Sequence, residues 1–113
     1  MREKKQYIIK IEFTKYSWMR FISHLDLLRL FQRALRRTAI ALKFSGGFSP
    51  HPLIYFERAL KLGVESEGEF VSIVVSEDIP LDEFKKRLNA ELPEGIKIKD
   101  LTKRRDGLTE PNT

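Results

Sequence analysis

The sequence predicts an α+β domain of order β-α-β-β-α-β. Two observations carry this. Apolar residues alternate with period two in several short stretches, and they recur with helical period in two stretches between them. The chain has 113 residues, enough for one domain to bury a core without a metal or disulfide.

Tyr7, Ile9, Ile11 and Phe13 alternate with Ile8, Lys10 and Glu12, the pattern of a half-buried first strand. Residues 15–22 form an aromatic-rich connection. Ser23 then opens a helix. Its hydroxyl can cap, and Asp26 follows three residues later, where a carboxylate suits the positive end of the dipole. Leu27, Leu28, Phe31, Ala34 and Leu35 make one stripe, and Arg29, Arg33, Arg36 and Arg37 fall opposite. The helix should end near Thr38.

Residues 40–44 are short and apolar, residues 45–52 (Ser-Gly-Gly-Phe-Ser-Pro-His-Pro) have loop chemistry, and 53–57 read as a strand. The pattern does not decide between two strands and one interrupted strand. Residues 58–69 connect to a β-branched strand at 70–76. Pro80 suits a first helical turn, Leu81, Phe84, Leu88 and Leu92 give a second stripe, and Gly95 is a stop. Ile96 and Ile98 alternate with Lys97 and Lys99 in a last strand. Residues 1–102 thus make one domain, and 103–113 are expected to be a polar tail without regular structure. Two right-handed crossovers on this order give a ferredoxin-like sandwich, an antiparallel sheet with two helices on one face.

The chain has no cysteine, which excludes a disulfide framework, a thiol nucleophile and an iron–sulfur cluster held by this chain alone. No HExxH spacing occurs, and no metal or cofactor is expected. No apolar run reaches membrane-span length, and the N-terminus lacks the features of a secretory signal, so a cytoplasmic protein without a membrane partner is expected.

The net charge of +5 is uneven: +2 over residues 1–14, +7 over 15–61 and −4 over 62–113. The first half should therefore attract polyanions. Arg33, Arg36 and Arg37 have no acid three or four positions away, whereas a merely solubilising face interleaves signs. The planar guanidinium fork suits phosphate. An acidic protein surface and plain solvation are the alternatives. Tyr16, Trp18 and Phe21 could stack on unpaired bases, or Trp18 and Phe21 could instead plug the end of the core. The Ser23–His24 helix start, with Arg20 nearby, and the Ser45-Gly46-Gly47 loop could present backbone N–H groups to phosphate, or be ordinary turns. His24 and His51 are the two general acid–base candidates of suitable pKa. Paired across a phosphodiester they could cleave RNA, and the plain alternative for both is structural.

The motifs at 20–27 (RFISHLDL), 33–37 (RALRR), 45–52 (SGGFSPHP) and 62–66 (LGVES) resemble those of the radical-SAM-linked domain family of unknown function. The resemblance covers about residues 7–101. It implies a bacterial protein fused to, or encoded beside, radical-SAM proteins and sometimes a ribonuclease of the E/G type. It also implies a full member of about twice this length, so that the chain is an N-terminal half or a short form.

The resulting expectation is an RNA-binding accessory domain acting with a radical-SAM protein or a ribonuclease. Arg20, Arg29, Arg33, Arg36, Arg37 and Lys43 would meet phosphates, and Trp18 or Tyr16 would stack. One rival is a metal-independent endoribonuclease using His24, resembling CRISPR repeat-processing enzymes. The other is a protein-docking module with an Arg-rich face.

Overall fold

A computed structural model describes residues 6–59 and 61–106. Four strands form one sheet: β1 (Gln6–Lys15), β2 (Ile54–Phe56), β3 (Ser66–Val75) and β4 (Ile98–Asp106), in the order β2-β3-β1-β4. Every pairing is antiparallel. Helices α1 (His24–Arg37) and α2 (Leu81–Glu91) cover one face. This is the ferredoxin-like sandwich expected from the element order.

The alternation in β1 sorts its side chains by face. Ile9, Ile11 and Phe13 are fully buried, and their direct partners Ile73, Val71 and Glu69 on β3 share that face. Phe31 of α1 completes the core edge-on between Phe13 and Phe56, at centroid separations of 5.2 and 5.7 Å. Helix α1 begins as its sequence dictates: the Ser23 hydroxyl accepts from the Asp26 N–H at 3.1 Å. Leu27, Phe31, Ala34 and Leu35 are buried, which leaves the arginines of the opposite face in solvent.

The question of one strand or two at 40–57 is answered by the hydrogen bonds. Leu42 pairs with Val75, and Ile54, Tyr55 and Phe56 pair with Ile73, Ser72 and Val71. Both segments lie along the same edge of β3, so they make one edge strand interrupted by an excursion. Phe44 and Pro52 bridge the neck of that excursion. Ser45 and His51 close it twice, through Ser45 N–H to the His51 carbonyl at 2.9 Å and His51 N–H to the Ser45 hydroxyl at 3.2 Å.

Three boundaries differ from expectation. A short 3-10 turn (Ser17–Phe21) lies in the connection after β1. Strand β3 starts at Ser66, because Lys15 and Phe13 of β1 pair with Ser66 and Glu69 despite the poor strand propensity of Ser-Glu-Gly-Glu. Strand β4 runs to Asp106, since Lys103, Arg104 and Arg105 pair with Ile9, Ile8 and Tyr7. A charged sequence suits that exposed edge. Residues 107–113, the rest of the expected tail, lie outside the described residues. Among the described residues, no helix is long and apolar enough to cross a membrane.

Candidate nucleic-acid interface

Helix α1 presents Arg29, Arg33, Arg36 and Arg37 on its exposed side. Their environments differ. Arg29 pairs with Asp26 at 3.6 Å, one turn earlier, in a solvent-exposed contact that contributes a few tenths of a kcal/mol. Arg36 donates to the Pro50 carbonyl at 3.4 Å and lies over the Phe44 ring at 5.9 Å, which ties the excursion loop to the helix. Arg33 and Arg37 flank a groove of about 370 Å³ between the helices, with Ala90, Glu91, Leu92 and Pro93 on its far wall. Among the described residues neither has a carboxylate within 4.0 Å, so neither forms an ion pair, and the nearest acidic side chain of the groove is Glu91 on its far wall. Sequence reasoning placed all four on one face, and the structure keeps them there.

The other expected contacts are distributed differently. Arg20 pairs with Glu65 at 3.6 Å and stacks on Phe21 at 4.6 Å. Glu65 also accepts from the Ser17 N–H at 2.9 Å. Tyr16 lies within electrostatic reach of the Glu67 and Glu65 carboxylates. Burial first, and then Glu67 and Glu65, push its phenol above the usual tyrosine range. The surroundings of Tyr16 are therefore acidic, unlike those of the α1 face. Trp18 is 78% exposed, so it does not plug the core. Lys43 follows Leu42, whose partner Val75 points into the core. The alternation thus turns Lys43 to the opposite face of the sheet from α1.

The two expected anion cradles are separate. Ser23 and His24 stand where α1 begins, and the 45–47 loop stands beside Arg36, about 18 Å further along the helix axis. At the first, the Ser23 hydroxyl is already used by Asp26, whose carboxylate occupies the positive end of the dipole. At the second, both polar groups of Ser45 close the loop, while Gly46 and Gly47 are exposed. The same separation keeps the imidazoles apart. His24 packs edge-on against Phe56 at 5.0 Å, and the His51 Nδ1 lies 3.3 Å from the Pro52 carbonyl. The two do not converge on one phosphodiester.

The open face of the sheet offers a contrast. Lys10 pairs with Glu57 at 3.4 Å, Lys99 approaches Glu12 at 3.9 Å, and Asp100 stands beside them. These charges are interleaved in sign, with Lys43 and Arg104 on the same face, whereas the exposed side of α1 carries arginines in a run.

Sequence reading missed two features. The carboxylates of Glu65 and Glu67 reach Arg20 and Tyr16 because the β1–β3 register sets Lys15 opposite Ser66. An antiparallel pairing drawn through the acidic run at 65–69 would have found them. The sequence marks Phe48 only as part of a loop, yet it stands fully exposed at the loop tip.

Fold and site together define a small ferredoxin-like domain with one arginine-rich helix face. The chain belongs to a family described as "Uncharacterized protein conserved in bacteria (DUF2344)", whose model matches residues 9–112. No curated protein and no solved structure matches it.

Proposed function

We propose that this domain binds RNA through the guanidinium face of α1, as an accessory to an RNA-modifying or RNA-processing enzyme. One observation carries the reading. Arg33 and Arg37 are exposed on a helix with Arg29 and Arg36, and no carboxylate of the described residues forms an ion pair with either, Glu91 standing across the groove. Like charges gathered on one helix face destabilise it modestly, and a polyanion relieves that cost. Arginine binds phosphate through paired donors, and phosphates supply most of the affinity in nucleic-acid complexes.

The enzyme it serves is a radical-SAM protein or a ribonuclease. This part of the proposal rests on the resemblance of the 20–27, 33–37, 45–52 and 62–66 motifs to a radical-SAM-linked family. The domain's contribution is to hold the RNA. The separation of His24 from His51 favours this role over cleavage by a histidine pair.

Charge reversal tests the reading. The double variant Arg33→Glu/Arg37→Glu should lose binding of a fluorescein-labelled 20-nucleotide RNA in an anisotropy titration. Its thermal midpoint should stay near that of the parent, because both side chains are exposed. Unchanged RNA affinity in a folded double variant would remove the α1 face from the account.

A further inference from the structure

Exposed aromatic rings stand at both ends of α1, with Arg20 over Phe21 and the Glu65 carboxylate beside the first pair, and Arg36 over Phe44 in the second. Where the helix begins, Trp18 is 78% exposed and Phe21 is 50% exposed, with ring centroids 6.0 Å apart at 42°. Where it finishes, Phe44 lies beneath Arg36, and Phe48 projects fully into solvent from the excursion loop. That loop is closed at its neck by the paired Ser45–His51 hydrogen bonds and the Phe44–Pro52 bridge, so Phe48 is held out on a built support. Along the chain the four arginines of α1 lie between the two ring sets, and Arg36 touches the second through Phe44 and the Pro50 carbonyl.

Charge and aromatic exposure together select among polyanions. An unpaired base offers a π-face of any sequence to an aromatic ring, while its phosphates remain free for arginine. A duplex keeps its bases stacked on each other and offers only its backbone and groove edges. We infer that the α1 face is a track for single-stranded RNA, with phosphates along Arg29–Arg37 and bases stacked on Trp18 at one end and Phe48 at the other. This inference rests on the RNA-binding reading above and adds strand selectivity and two base-stacking subsites. Fourteen helical residues span about 21 Å, the length of about six nucleotides at a stacked rise of about 3.4 Å.

Trp18 is the single tryptophan of the chain, so its fluorescence reports on one subsite directly. The experiment titrates the protein at low salt with a 12-nucleotide oligouridylate and, separately, with a 12-base-pair RNA duplex. The single strand should quench Trp18 saturably, and the duplex should leave its emission nearly unchanged. Phe48→Ala should weaken oligouridylate binding by roughly 5- to 50-fold, with duplex affinity unaffected. Both Trp18 and Phe48 are surface residues, so a thermal melt of Phe48→Ala should match the parent. Equal affinity for the two ligands, with Trp18 emission flat and Phe48→Ala silent, would overturn the track while leaving RNA binding by α1 intact. Failure of both ligands to bind would remove the underlying reading as well.

Discussion

Ionic strength is the perturbation whose effect on RNA binding can be worked from the structure. Each phosphate neutralised by a fixed cation releases condensed counterions, and on single strands each such contact contributes about −0.7 to the slope of log K against log salt. The exposed face of α1 holds Arg29, Arg33, Arg36 and Arg37. If all four meet phosphates, the slope is about −2.8, and affinity falls about 50-fold between 50 and 200 mM salt. Replacing Arg33 and Arg37 by Gln removes two contacts without adding repulsion. The slope should then be about −1.4, and the same salt step should cost only about 7-fold. Anisotropy of a labelled 20-nucleotide RNA at four salt concentrations measures both slopes. A parent slope near zero would refute electrostatic binding. A parent slope near −2.8 that is unchanged in the Gln variant would place the contacts elsewhere, on Lys10, Lys43 or the β4 arginines.

Two further predictions concern the fold. Ala39 sits just past the end of α1 at φ 62°, a left-handed conformation that costs an alanine roughly 1 kcal/mol relative to glycine. Ala39→Gly should therefore raise the thermal midpoint by about 4 °C, and a lowered midpoint would contradict the assignment of that cap. Lys15 is buried, its ammonium donating to the Lys61 carbonyl, and desolvation lowers its pKa below the usual lysine value of 10.5 despite the nearby Glu69 carboxylate. The folded state gives up this proton before the unfolded chain does. Stability contributed by this group therefore rises with pH from the folded pKa up to 10.5. Urea titrations across that window should show the rise in the parent and lose it in Lys15→Met; its persistence in the variant would assign it to another group.

The elements with a strong apolar period were legible in the sequence because packing agrees with local pattern there. Ile9, Ile11 and Phe13 alternate and are buried, and Leu27, Phe31, Ala34 and Leu35 recur helically and are buried. The Ser23 cap has a local mechanism and stands where it was read. The missed boundaries are those that a partner strand decides. Residues 66–69 and 103–106 have little propensity of their own and become strand because β1 lies between them. The arginine face was legible for the same reason as the helix, since one periodicity sets both. The environment of Arg20 and Tyr16 was not, because Glu65 and Glu67 arrive through a register nearly fifty residues distant in sequence. The excursion at 44–52 was visible as Gly and Pro punctuation, but its attachment to Arg36 depends on the tertiary fold.

The central claim is that RNA meets the outer face of α1, with the open face of the sheet left uncovered. Amide chemical-shift mapping of nitrogen-15-labelled protein with a 12-nucleotide oligouridylate compares the two surfaces in one spectrum. The account predicts perturbations over residues 29–37, around Trp18 and through the 44–52 loop. Shifts confined to Lys10, Tyr55, Phe70 and Thr102, with α1 silent, would contradict it.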